Sequence, residues 1–220
     1  MARTQESYAD AMTVRSNQYL SAVRECIAVL PATVLRYETD EFETLTSRLS
    51  ERESNCDAAL RKLRRLCGRA TPNFTGVYLQ AGAVMELYAA VDEVPNAAED
   101  FVRQLDAIRP TLAPQTADDL AEMAALATRA TGVLADAIET YAESLVSGGP
   151  PADPRGAVEQ IAALESRADD RKQRIVRRAF ADGPTAPSIV VRDLTAALDE
   201  TLDAVEDAAD HLLFMYGAAP

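Results

Sequence analysis

The 220-residue sequence contains little or none of several residue types. It has no tryptophan, two lysines, one histidine and 5% aromatic residues. It also lacks a run of about 18 apolar residues, and its first ten residues lack the apolar centre of a signal peptide. We therefore expect a cytoplasmic chain without membrane insertion. The cysteines form no CxxC pair, and we expect small buried hydrophobic residues at all three positions: Cys26, Cys56 and Cys67.

Acidic residues outnumber basic ones by 35 to 22, which gives a net charge of −13. Binding a phosphate backbone requires a basic surface, so this charge argues against a nucleic-acid partner. Only Lys62 and Lys172 accompany 20 arginines. This bias and the acid excess suggest a salt-adapted, halophilic proteome, although a GC-rich genome would also favour arginine. Two basic clusters near predicted helix C-termini are interpreted as solvated faces rather than anion sites: Arg61, Lys62, Arg64 and Arg65, and Arg171, Lys172, Arg174, Arg177 and Arg178.

Apolar residues recur at helical spacing along the chain, which predicts six helices and no strand. The first helix is expected at about 17–37, the second ends at about 67, and the third covers about 77–108. The fourth begins at about 116, the fifth ends at about 180, and the sixth covers about 189–215. Pro31 predicts a kink, Pro95 a kink or a break, and Gly68 a C′ helix end. The proline-containing connector 109–115 predicts a division into repeats 1–112 and 113–220. The fold class is therefore all-α, with two tandem three-helix bundles.

A pattern of acidic residues is repeated between the two halves. Asp-Glu-x-x-Asn-x-x-Glu-Asp begins at Asp92, and Asp-Glu-x-x-Asp-x-x-Glu-Asp begins at Asp199. A further pair of acids precedes each copy, in the same order and at nearly the same separation. Internal duplication explains this arrangement better than chance. The preceding pairs are Glu53 with Asp57 and Glu165 with Asp169.

Acids four residues apart on a helix project from one face, within reach of a single ion. A hard divalent cation would relieve their mutual repulsion, and a ligand set made of oxygen suits Mg²⁺, Mn²⁺ or iron better than structural Zn²⁺. Any single pair is more commonly a solvated surface feature. Matching pairs in both halves make a metal site and a surface feature about equally supported.

The segments ALESRADDRKQRIVRRAF and AALDETLDAVEDAADHL resemble the second and third helices of the repeat in PhoU-like phosphate-uptake regulators. The duplicated three-helix order is similar over nearly the whole chain. The resemblance implies E/D-x-x-x-D metal sites at the bundle surface and regulation of a phosphate transporter or phosphate-sensing kinase, without an established catalytic activity. The motif falls on Glu53 and Asp57, Asp92 and Asn96, Glu165 and Asp169, and Asp199 and Asp203.

Asn96 stands where the family motif has an acid, and its amide carries no formal charge. Affinity at oxygen sites depends on ligand charge, so the C-terminal half is expected to bind divalent metal more tightly than the N-terminal half. The nearby Pro95 is expected to weaken the N-terminal site further.

Two alternatives to a metal-binding regulator remain. A ferritin-like di-metal enzyme requires Glu-x-x-His motifs, but the sole histidine, His211, is preceded three residues earlier by Ala208. A metal-free helical adaptor is the other alternative. The sequence leaves open which partner is contacted, which metal is native and whether the chain forms a homodimer.

Overall fold

The computed structural model describes residues 2–69, 80–147 and 150–217, with side chains described from residue 8. These residues form seven helices and no strand, so the predicted all-α fold class is confirmed. The predicted start of the third helix at residue 77 lies outside the described residues. The helices are α1 Ala2–Ile27, α2 Leu30–Leu35, α3 Phe42–Cys67, α4 Ala81–Ile108, α5 Pro114–Ser147, α6 Arg155–Ala179 and α7 Ala186–Gly217.

Four long helices occupy the centre of the molecule. Helix α1 packs on α5, and α4 packs on α7, so the two predicted halves meet along two helix pairs. Helix α3 covers α1 and α4 on one side, while α6 covers α5 and α7 on the other. One apolar core extends through all of these helices. The boundary between residues 112 and 113 remains a prediction.

Helix α1 begins well before its predicted start at residue 17. Its buried side includes Tyr8 and Met12, and it continues through Ser16 to Tyr19. The polar Ser16 interrupts the apolar periodicity that was used to place the helix. Its hydroxyl is nevertheless buried, 2.5 Å from the Tyr88 hydroxyl of α4. A buried hydrogen bond therefore replaces an apolar contact at this position.

The two prolines act differently. Pro31 lies in the first turn of the short helix α2, where the missing N–H group has no intrahelical partner to lose. The predicted first helix is consequently divided into α1 and α2. Pro95 is buried within α4, and the helix continues without interruption through it. The alternative of a break at Pro95 is therefore wrong.

The left-handed helix end lies at Arg109 rather than at Gly68. Gly68 has φ −65°, in the right-handed region, so its predicted role as a C′ glycine is wrong. Arg109 ends α4 with φ 48°, and its Nη2 donates to Asp106 Oδ1 at 2.5 Å. Its guanidinium also lies 5.4 Å from the ring centroid of Phe42. These contacts fix the start of the connector against α3.

Candidate functional site

The repeated acidic motif is divided between two faces of each third helix. One face turns towards the flanking helix of the same half, and the other faces a groove between α4 and α7. The residues of the first face are Asp92 and Glu99 on α4 and Asp199 and Glu206 on α7. The residues of the second face are Glu93 and Asp100 on α4 and Glu200 and Asp207 on α7.

The first-half cluster consists of Glu53 and Asp57 on α3 with Asp92 and Glu99 on α4. Burial raises the pKa of Glu53, and the charges of Glu99 and Asp57 raise it further. Burial and the charge of Asp57 also raise the pKa of Asp92, whose Oδ1 accepts a hydrogen bond from the Tyr19 hydroxyl at 3.4 Å. Like charges are thus held near one another, which disfavours their ionised forms.

The second-half cluster consists of Glu165 and Asp169 on α6 with Asp199, Asp203 and Glu206 on α7. Burial, followed by the charges of Asp169 and Glu206, raises the pKa of Glu165. Burial and then the charge of Asp199 raise the pKa of Asp203 from 3.8 to about 6. Asp169 therefore lies within electrostatic range of the other three predicted ligands of this half.

Lys172 extends from α6 into the second-half cluster. Its ammonium donates a hydrogen bond to the carboxylate of Asp199 and lies 3.6 Å from Asp169 Oδ1. The Asp199 side chain is only 6% exposed. Asp199 is therefore not the solvated surface acid of the alternative to a metal site, and Lys172 is half-buried rather than a solvated cation. The i,i+3 spacing of Asp169 and Lys172 was a sequence signal for the contact between these two residues, but not for the contact of Lys172 with Asp199.

Asp119 on α5 is a second buried acid, and the sequence pattern did not predict its burial or its ion pairs. Its side chain is 5% exposed, and it accepts from Arg171 at 3.1 Å and from Arg178 at 2.7 Å. These arginines are seven residues apart, on the same face of α6. The solvated interpretation of the α6 basic cluster is consequently wrong for Arg171 and Lys172, which are half-buried, whereas Arg178 is exposed although it pairs with Asp119.

A groove of about 490 Å³ lies between α4 and α7. Five carboxylates, two amides and four alanines form its described lining, which contains no basic side chain. Asn96 lies in this lining together with Asp203, its counterpart in the second repeat. The lining residues are Ala90, Glu93, Asn96, Ala97, Asp100, Gln104, Ala197, Glu200, Asp203, Ala204 and Asp207.

The described residues contain no group of three or more Asp, Glu, His or Cys side chains placed to hold one metal ion. In the first half, ligation would require the partly exposed Glu53, Asp57 and Asp92 to turn towards one another. In the second half, the ammonium of Lys172 already donates a hydrogen bond to the carboxylate of Asp199. Metal ligation by the predicted residues therefore remains a prediction.

No protein-family model matches the chain, and no curated protein matches it either. The crystal structure of a PhoU-like protein from Shewanella oneidensis MR-1 matches with a TM-score of 0.81 and 14% identity. A second structure, of a PhoU-like phosphate regulatory protein from the same organism, matches with a TM-score of 0.78 and 15% identity. Each match covers 94% of this chain and 100% of the other chain.

The architecture is thus that of a helical-bundle protein, matched over 94% of the chain. Specifically, the chain has the PhoU-like fold that the acidic repeats had suggested. None of the helices in the described residues is long and apolar enough to cross a membrane.

The crowded carboxylates make stability depend on pH. The folded protein binds a proton at Asp203 more tightly than the unfolded chain, since the pKa is about 6 instead of 3.8. This contribution is fully present below about pH 4 and is lost as the pH rises through about 6. We expect the melting temperature to increase when the pH is lowered from 7 to 5, and Asp203→Asn to reduce that increase.

Asp170→Asn is the matched control because Asp170 is exposed on α6 and pairs with no described residue. It should retain the full pH response in thermal unfolding followed by circular dichroism. A wild-type melting temperature that falls between pH 7 and 5, or an Asp203→Asn variant that responds like Asp170→Asn, would contradict this expectation.

Proposed function

We propose that the chain regulates phosphate uptake by protein–protein contact with a component of a phosphate transporter or with a phosphate-sensing kinase. The observation that carries the proposal is its structural likeness, over nearly its full length, to a phosphate regulatory protein. The alternative of a ferritin-like di-metal enzyme is disfavoured because the sequence lacks Glu-x-x-His motifs.

Binding of Mg²⁺, Mn²⁺ or iron is the second part of the proposal, at the carboxylates that the repeated motif selects. The first-half cluster supports it because burial, and after it the charges of neighbouring acids, raises the pKa of Glu53 and of Asp92. A divalent ion would offset this repulsion and gain oxygen ligands. Arg61 is the nearest competitor, with its Nη1 2.7 Å from Asp57 Oδ2. Both of these side chains are more than 40% exposed, so their pairing is weak.

The groove between α4 and α7 is the surface that best suits contact with a partner. Its five carboxylates are not neutralised by any basic residue of the described lining. The alanines of both helices leave space for an incoming side chain between the acids. We propose that a segment rich in arginine or lysine, belonging to the transporter component or kinase, binds here through complementary charge.

Affinity capture from the native host tests this function. The tagged wild-type chain is expected to retain a phosphate transporter component or sensor kinase, identified by mass spectrometry. Glu200→Lys/Asp207→Lys should lose that partner, since both acids are exposed in the groove and reversal of their charge repels a basic segment.

Glu159→Lys/Asp170→Lys is the matched control, with the same change in net charge at exposed positions of α6. It should capture the partner as the wild type does. If Glu200→Lys/Asp207→Lys still captures the partner, the groove is not the contact surface. If no component of phosphate transport or sensing is retained by the wild type, the proposed contact is wrong.

A further inference from the structure

The ammonium of Lys172 is the only lysine group in the described part of the chain that is placed among several carboxylates. It contacts Asp199, lies 3.6 Å from Asp169 and is affected by the charge of Asp203. The other lysine, Lys62, is exposed on α3. Lysine carries a compact point charge with three donors, whereas the flat fork of arginine suits one carboxylate edge. The cation at position 172 is thus of the kind that can sit between several acids.

The first half has no lysine at the equivalent position, and its acids pair with arginines instead: Arg61 with Asp57 and Arg103 with Glu99. When the repeats are aligned on Glu53 with Glu165 and on Asp57 with Asp169, Leu60 takes the position of Lys172. Leu60 is 1% exposed and belongs to the apolar core. Asp92, the counterpart of Asp199, accepts a neutral hydroxyl from Tyr19 instead of an ammonium. The two clusters therefore differ in the cation that contacts their acids, which is a lysine ammonium in the second half and arginine guanidinium groups in the first.

We propose that Lys172 is a tethered cation that takes the place a divalent metal would need in the second-half cluster, so that metal binding is confined to the first half. The inference concerns the metal binding included in the proposed function. It reverses the order of affinities expected from Asn96 alone. That expectation compared the formal charge of the candidate ligands and did not include the cation on α6.

Competition favours the ammonium for two reasons. It is attached to α6, so its effective concentration at Asp199 does not fall on dilution. A metal ion would also have to displace it from an acid that is 6% exposed, and the freed ammonium would stay near the bound metal and repel it. In the first half the competing cations are the guanidinium groups of Arg61 and Arg103, whose side chains are more than half exposed and therefore pair weakly.

Manganese titration of the full-length protein, stripped of metal with a chelator, tests the inference. Free Mn²⁺ is followed by electron paramagnetic resonance. Lys172→Met should gain a site that binds at least tenfold more tightly than any second site of the wild type. The melting temperature of this variant should also rise more with saturating Mn²⁺ than that of the wild type.

Lys62→Met provides the matched control because it removes the only other lysine and the same charge. It should bind Mn²⁺ as the wild type does, and Lys172→Met/Asp199→Asn should lose the gained site. Identical Mn²⁺ binding by Lys172→Met and wild type would overturn the inference.

If Lys172→Met does not fold, the Mn²⁺ affinity of Asp199→Asn tests the inference instead. The inference predicts that this substitution leaves the Mn²⁺ affinity of the wild-type background unchanged, because Asp199 is not a ligand while Lys172 holds it. Weakened Mn²⁺ binding in Asp199→Asn would overturn it. These measurements use purified protein, so their failure is distinguishable from failure of the proposed function, which is read out by partner capture from the native host.

Discussion

Replacing both Arg171 and Arg178 with alanine is expected to lower the free energy of unfolding by about 3 kcal/mol or more. Both arginines reach from α6 to Asp119 of α5, whose side chain is 5% exposed. The double substitution would leave that carboxylate buried without a counter-ion. Removing one partner of a buried pair is far more costly than the pair's own net contribution, since desolvation of the remaining charge is no longer compensated.

Arg174→Ala/Arg177→Ala is the control for this expected loss. These arginines are exposed on the same helix, and their removal changes the net charge equally. We expect a change of about 0.5 kcal/mol or less in chemical denaturation, as for other surface substitutions. Adding Asp119→Asn to the first double variant should recover part of the loss. Equal destabilisation by the two double variants would contradict the structural importance of the Asp119 contacts.

The helices and their buried faces were largely predictable because apolar residues recur at the helical period. In α7, Leu194, Leu198, Leu202 and Val205 form a buried side that follows directly from their spacing. The start of α1 was missed because buried Ser16 reads as a polar residue. Its hydroxyl is satisfied by Tyr88, a partner far away in sequence. The spacing of apolar residues does not show that a polar side chain is buried when its hydrogen-bond partner is distant in sequence.

The candidate clusters were predictable only in part, since Asn96 lies in the groove while Glu99 and Glu206 join the clusters. Four-residue spacing places Glu165 with Asp169 and Asp199 with Asp203 on shared helix faces, which the sequence alone fixes. Which acids are buried depends on the packing of α6 against α7 and α5, and this brings Lys172 to Asp199. Asp199 is therefore a poor residue for testing function alone, since its substitution also disrupts an ion pair.

The acidic groove was not predictable from either repeat alone. It exists because α4 of one half packs against α7 of the other and brings matching acids together. Each repeat supplies one wall, with Glu93 and Asp100 on α4 and Glu200 and Asp207 on α7. The sequence displayed the duplicated motif, but the pairing of the third helices is a property of tertiary packing.

Loss of the gene is expected to change phosphate accumulation in the native host, because a regulator that contacts the uptake machinery would no longer restrain or activate it. The wild-type chain and Glu159→Lys/Asp170→Lys should restore normal accumulation when supplied to the deletion strain. Glu200→Lys/Asp207→Lys should not restore it, although its exposed substitutions leave the core untouched. Equal amounts of the three proteins in the cell, verified by immunoblot, are required for the comparison.

The rate of labelled phosphate uptake in the deletion strain, measured in phosphate-limited and phosphate-replete cells, tests the proposed role most directly. The account predicts an uptake rate that differs from that of the parent strain under at least one of the two conditions and returns to the parent value on complementation. Uptake rates identical to those of the parent under both conditions would contradict a role for this chain in phosphate regulation.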